Sequence, residues 1–256
     1  MTLSFGPLFA WALALSGAAD AASSAGAEPP KALVCLARHY GVRAVQEGPE
    51  WFVQVPEGGR IRFDDGERKS FDQLLDRPDL QDMFSLPYPT GPLQPVLSEN
   101  QDPGRIRVEA LFDAVYGGGR RAMRSAKFLG RPIVVHERAL PAFAAVEKRL
   151  QALLAVKPEL KAQVLPLGGT FVARKIAGTD RASAHSWGIA IDVNPARSDY
   201  WRWRRGTGWQ HGPAQAIVDA FEAEGFIWGG RWYHFDTMHF EYRPELLDPT
   251  CLTTTR

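Results

Sequence analysis

The segment Ser183-Ala184-His185-Ser186-Trp187-Gly188-Ile189-Ala190-Ile191-Asp192 constrains the chain more than any other. Ile189, Ile191 and Val193 alternate with Ala190, Asp192 and Asn194, the two-residue period of a strand buried on one face. Asp192 projects from the face opposite the isoleucines, and Gly188 lets the chain turn so that the His185 imidazole approaches that carboxylate. A second short strand is read at Asp236-Thr237-Met238-His239-Phe240-Glu241. Phe240 and Tyr242 take one side of it, His239 and Glu241 the other. Asp236 and His239 have opposite parity, so a bulge or helical turn at Thr237-Met238 is needed to bring both to one face. His234 shares the parity of Asp236 and is a rival for the same site.

Helical periodicity lies elsewhere. Leu140, Phe143, Val146, Leu150, Leu153 and Leu154 predict a long helix over Glu137 to Ala155. A second runs from Pro213, suited to a first helical turn, to Glu224, with Gly225 as its stop. Val108 to Tyr116 is a compact amphipathic helix ended by Gly117-Gly118-Gly119. Lys31 to Val55 reads as a short helix followed by strand residues from Trp51, and Arg60 to Phe63 as a short strand. Asp64 to Pro103, rich in Asp, Pro and Ser, reads as irregular surface structure with a helical turn at Ser70 to Leu75. The fold expected is α+β: a small antiparallel sheet flanked by helices, with a helical and irregular N-terminal extension. Three parts are expected, with a soft boundary near 160: a leader over 1–27, an N-terminal region over 28–160 and a catalytic core over 161–256.

Pro7 to Leu15 is an apolar run, too short to span a bilayer, followed by small residues. Ala19-Asp20-Ala21 and Ala25-Gly26-Ala27 both suit signal-peptidase cleavage, although no basic residue precedes the run. Export to the periplasm or cell envelope is expected, with no membrane insertion after cleavage. In an oxidising compartment Cys35 and Cys251 either pair or remain as two buried thiols. With 30 Lys+Arg against 29 Asp+Glu the chain is near neutral, which excludes a polybasic nucleic-acid arm. Tyr200-Trp201-Arg202-Trp203-Arg204-Arg205 interleaves Arg and Trp, but as one short segment it fits the rim of a cleft better than a nucleic-acid platform; the tryptophans serve equally as loop anchors.

Two cysteines exclude a zinc ribbon, so any metal site must come from carboxylates and the six histidines. His185, Asp192 and His239 supply three ligands, the number a catalytic zinc centre uses. Asp236 is left as a nearby non-ligating carboxylate able to take a proton from the attacking water. Each piece also has a plain structural role: His185 capping a strand, Asp192 capping a turn, His239 satisfied in the core. His39, His136 and His211 are given no function.

Ser183-x-His185-x-x-Gly188-x-Ala190-x-Asp192 with downstream Asp236-x-x-His239 resembles the zinc D-Ala-D-Ala carboxypeptidase and L-alanyl-D-glutamate endopeptidase family. The similarity takes in Arg174 to Thr179 before the first motif and Phe226 to Trp232 before the second, spanning about Gly168 to Leu247. The resemblance implies a core like that of the hedgehog domain, Zn2+ as cofactor and peptidoglycan stem peptides as substrate. It places the metal ligands on His185, Asp192 and His239 and the catalytic carboxylate on Asp236. Arg174 matches the family's positively charged substrate group, with Arg181 competing for that task. Ser183 either bonds a substrate carboxylate or shapes the turn before His185, and His234 orients water or intermediate or is merely a half-exposed ring. Terminal D-Ala release is the leading activity, with endopeptidase cleavage and non-catalytic, zinc-stabilised cell-wall binding behind it.

Overall fold

The structure, a computed structural model, describes residues 1–2, 27–56, 58–117, 119–203 and 208–251. Almost all of the expected leader therefore lies outside the described residues, as do Arg204 and Arg205.

Helix α1 (Lys31–Tyr40) buries Leu33, Leu36 and Tyr40, and Gly41 closes it in the left-handed conformation, φ 67°. A three-stranded antiparallel sheet follows in the order β1 (Arg43–Glu47), β2 (Glu50–Gln54), β3 (Arg60–Arg62). Its first strand is an addition to the sequence reading. The segment from Asp64 to Pro103 is largely irregular, as expected, with α2 (Phe71–Asp76) capped by Ser70 and Gln73 in a reciprocal capping box.

Helix α3 (Glu109–Tyr116) leads to a hairpin of β4 (Met123–Phe128) and β5 (Arg131–His136), which the sequence did not announce. Helix α4 (Leu140–Val156) is the longest of the described residues and faces Phe143, Val146 and Leu150 inward. The short α5 (Lys161–Val164) follows. Helix α6 (Gln215–Glu222) starts two residues later than Pro213, which precedes the N-cap residue Ala214 instead of occupying the first turn. Gly225, φ 85°, stops the chain beyond it.

The central sheet has four antiparallel strands in the order β6 (Leu167–Gly169), β7 (Ala190–Val193), β9 (His239–Tyr242), β8 (Phe226–Trp228). One side packs on α6, where Phe221 stacks on Phe240 at 3.9 Å, and through Phe226 and Phe143 on α4. The α+β architecture matches the expectation. The hydrophobic core crosses the boundary read near 160 without a break, running from Leu33 on α1 to Cys251. Cys35 and Cys251 form a disulfide across 216 residues, which answers the alternative left open above. Among the described residues no helix is long and apolar enough to cross a membrane.

Candidate active site

The β7–β9 register builds half the site. Asp192 lies directly opposite His239, and Ala190 opposite Glu241, so these side chains share one face of the sheet. His185 arrives from a single 3-10 turn, Ala184–Trp187, ended by Gly188 at φ 65°. A side chain at Gly188 would meet Met123 Sδ at 2.6 Å and the His136 backbone nitrogen at 2.8 Å. The His136 N–H donates to the Gly188 carbonyl at 2.9 Å, so the β4–β5 hairpin fixes the turn that presents His185.

Three ring and carboxylate atoms converge. His185 Nε2 is 3.2 Å from Asp192 Oδ1 and 3.2 Å from His239 Nδ1, which is itself 3.1 Å from Asp192 Oδ1. The opposite nitrogen of each ring is engaged: His185 Nδ1 donates to the Thr170 carbonyl at 2.5 Å, and His239 Nε2 to Glu241 at 3.0 Å. Those outer bonds fix the tautomers, so in the neutral rings both inward nitrogens carry lone pairs. Two lone pairs and a carboxylate oxygen pointed at one another repel unless a cation sits among them. The donor set therefore fits a divalent metal, and two imidazoles with one carboxylate suit zinc. Without a metal, a proton takes that place. Burial disfavours charge on His239, but Asp192 and Glu241 outweigh it and hold its pKa up to about 10. Burial raises the Asp192 carboxyl, yet His185 and His239 hold it well below the usual range.

Asp236 stands in the turn before β9, where the His239 N–H donates to its carbonyl at 3.1 Å. That turn brings Asp236 and His239 to one cleft, as the parity argument required. The turn is clamped by Thr237, whose hydroxyl donates to the His211 carbonyl at 2.8 Å, and by Trp228 donating to the Thr237 carbonyl at 2.9 Å. Asp236 Oδ1 is buried without a hydrogen-bond partner among the described residues. Burial and the Asp192 charge outweigh His239 and Arg105 and push Asp236 up to about 6.

These groups line a cleft of about 230 Å³. Ser183 and Arg174 also line it, Ser183 buried and Arg174 exposed with no hydrogen bond from its guanidinium among the described residues. Arg181 and His234 fall outside the lining. Arg181 is half-buried and donates to the Arg105 carbonyl at 3.4 Å. His234 does not lie on a strand with Asp236; it sits in a turn, its ring held by the buried Asp102 at 2.7 Å and its edge on Trp201. Tyr200 and Trp203 line the cleft, with Trp203 mostly exposed at the rim, whereas Trp201 does not.

Sequence reasoning missed Arg105, Arg107 and Trp232, which also line the cleft, and the part played by Glu241. Arg107 pairs with Glu241 at 2.8 Å, and Arg243 reaches the other Glu241 oxygen at 3.2 Å. Burial pushes Glu241 up, but Arg107, His239 and Arg243 hold it far below the ordinary carboxylate range. The signal for the arginines was faint: Arg105-Ile106-Arg107-Val108 alternates, but in a segment otherwise marked by turns.

Residues 177–242 match a family model described as D-alanyl-D-alanine carboxypeptidase. The match covers about a quarter of the chain and contains His185, Asp192, Asp236 and His239. It supports a metallopeptidase acting on peptidoglycan-related substrates. No curated protein and no solved structure gives a match.

Proposed function

We propose that the chain is a zinc-dependent D-alanyl-D-alanine carboxypeptidase, exported to the cell envelope, which hydrolyses the terminal bond of peptidoglycan stem peptides. The observation that carries this reading is the meeting of three converging metal donors with a separate, buried carboxylate oxygen that has no partner. Zinc held by His185, Asp192 and His239 would supply a Lewis acid at the scissile carbonyl. Asp236 takes the proton of the attacking water and returns it to the leaving amine. Its carboxyl, raised toward neutrality by burial, suits both directions of that transfer. Arg174, exposed at the cleft wall with no hydrogen bond from its guanidinium among the described residues, supports negative charge developing on the carbonyl oxygen. Ser183 and the rim aromatics Tyr200 and Trp203 position the peptide. At about 230 Å³ the cleft is smaller than the roughly 300–1,000 Å³ typical of sites that enclose a drug-sized ligand. It suits the end of a peptide.

Digestion of purified muropeptides followed by mass spectrometry tests the reading. Loss of a single alanine is expected; release of a longer peptide would make the enzyme an endopeptidase. A chelator should abolish hydrolysis and added zinc restore it. Asp236→Ala should keep its zinc while the rate falls about 10²- to 10⁴-fold. His185→Ala should lose the metal itself. An Asp236→Ala variant as active as the parent would overturn the role given to that carboxylate.

A further inference from the structure

One wall of the cleft comes from outside the matched segment. Residues 101–107 run beside the turn that carries Trp232 and His234 and are laced to it. The Tyr233 N–H donates to the Gln101 carbonyl at 2.9 Å, Trp232 Nε1 to the Pro103 carbonyl at 2.6 Å, and the His234 N–H to Asp102 at 2.8 Å. Gly104, φ 91°, leaves no room for a side chain because Ile227 Cδ1 would lie 2.3 Å from its Cβ. The next residue, Arg105, is thereby aimed into the cleft.

Arg105 is fixed before any ligand arrives. Its guanidinium lies over the Trp232 ring, 4.8 Å from the centroid, and Nη2 donates to the His234 carbonyl at 2.8 Å. Its Nε is buried and has no acceptor among the described residues. Among the described residues no carboxylate pairs with it at contact range: Arg107 takes Glu241, Asp192 is committed to the two imidazoles, and Asp236 acts on it only through the field across the cleft. A held guanidinium with an unused N–H, on an apolar aromatic face, is a receptor for an anionic oxygen. Arg174 differs, since it is exposed and its charge is screened by solvent.

The geometry points to Arg105 as the group that binds the free C-terminal carboxylate of the substrate, so that the N-terminal region supplies the specificity for a chain end. This deepens the carboxypeptidase reading and rests on it. A peptide whose terminus is amidated, or continues into another residue, offers Arg105 only a neutral carbonyl oxygen. That gives a weaker hydrogen bond than a carboxylate does.

The test uses the full zinc-loaded chain and a pair of peptides: an acetylated stem-type peptide ending in D-Ala-D-Ala, and its C-terminal amide. Binding is measured by calorimetry in an Asp236→Asn background, and kcat/KM in the parent. The carboxylate form is expected to bind about 10- to 100-fold more tightly than the amide. Arg105→Gln should remove most of that preference, weakening the carboxylate form about 10- to 100-fold and the amide far less, with zinc content unchanged, and Arg105→Lys should restore part of it. Equal binding of the two peptides in the Asp236→Asn background would overturn the proposal. So would a preference that survives Arg105→Gln, or an Arg105→Gln variant that weakens both peptides equally, which marks a structural role. The two readings separate cleanly. A carboxylate preference dependent on Arg105, without cleavage of either peptide, would retain the subsite and sink the peptidase.

Discussion

Glu241 shows how much of a metal centre resides in a residue that never touches the metal. It accepts from His239 Nε2 at 3.0 Å and is met by Arg107 and Arg243, all within the protein interior. The carboxylate therefore sets the tautomer of His239 and shares its charge between Arg107 and Arg243, the second of which also pairs with Glu245. Glu241→Gln keeps the shape but halves neither task evenly: the amide still accepts from the ring, while the arginines lose their shared counter-charge. Zinc affinity should fall about 10- to 100-fold, and unfolding free energy by about 3 kcal/mol for the uncompensated buried charge. Competition titration with a chromogenic chelator and denaturant unfolding check the two effects separately. Unchanged zinc affinity would reduce Glu241 to a structural counter-ion. At this scale the sequence was most legible where a period of two governs. Asp192 and His239 declare their common face by alternation with Ile191 and Phe240, and the register confirms that they are partners. Arg105 was not legible, because its direction is decided by the close approach of Gly104 to Ile227, more than a hundred residues away in sequence.

Elements matter here as supports for one turn. His185 is presented by a single 3-10 turn, too short to hold itself, and the β4–β5 hairpin backs it through the bond from His136 to Gly188. That hairpin escaped the sequence reading for physical reasons. Of the β4 residues only Phe128 is buried, so Arg124, Ser125 and Lys127 leave no two-residue hydrophobic pattern to see. Its turn places Leu129 at φ 49° ahead of Gly130 at φ 77°, and leucine is not a residue that announces a positive φ. The long helix α4 was readable because its apolar stripe is complete. Gly188→Ala tests the support. The left-handed backbone and the contacts with Met123 and His136 together should cost about 2–4 kcal/mol. The strain falls on the turn, so zinc content should drop with stability. Thermal melts of the metal-free protein, with zinc determined on the folded fraction, distinguish this from plain destabilisation. A folded variant with full zinc occupancy would show that the hairpin is not what positions His185.

At the scale of the molecule, the region before residue 160 is part of the machine that holds the site. Arg107 pairs with Glu241, Glu241 with Arg243, Arg243 with Glu245 at 2.6 Å, and Glu245 accepts from the Tyr40 hydroxyl at 2.6 Å. That buried chain of polar groups joins α1 and the 101–107 segment to the strand bearing His239. A polar chain of this kind is costly to leave half made, so it ties the two regions into one cooperative unit. Phe143 on Phe226 and Phe112 on Trp187 add apolar contact across the same divide. Packing and polar contacts thus run across the soft boundary read near residue 160. Residues 161–256 expressed alone should fail to give a cooperative unfolding transition or bind zinc tightly. A well-folded, zinc-binding fragment would establish an independent core. The Cys35–Cys251 disulfide closes a loop of 216 residues around both regions. Loop-closure entropy sets its upper worth at roughly 5 kcal/mol, with about 2–4 kcal/mol the usual yield. Cys35→Ser, Cys251→Ser and the double variant should each lose a similar amount of stability, since each removes the same link. Because the ladder from Tyr40 to Glu241 does not run through the sulfurs, folded variants should keep their zinc affinity. A loss of affinity in the folded variants would mean that tension through α1, and not the local hydrogen bonds, keeps the strand bearing His239 in place.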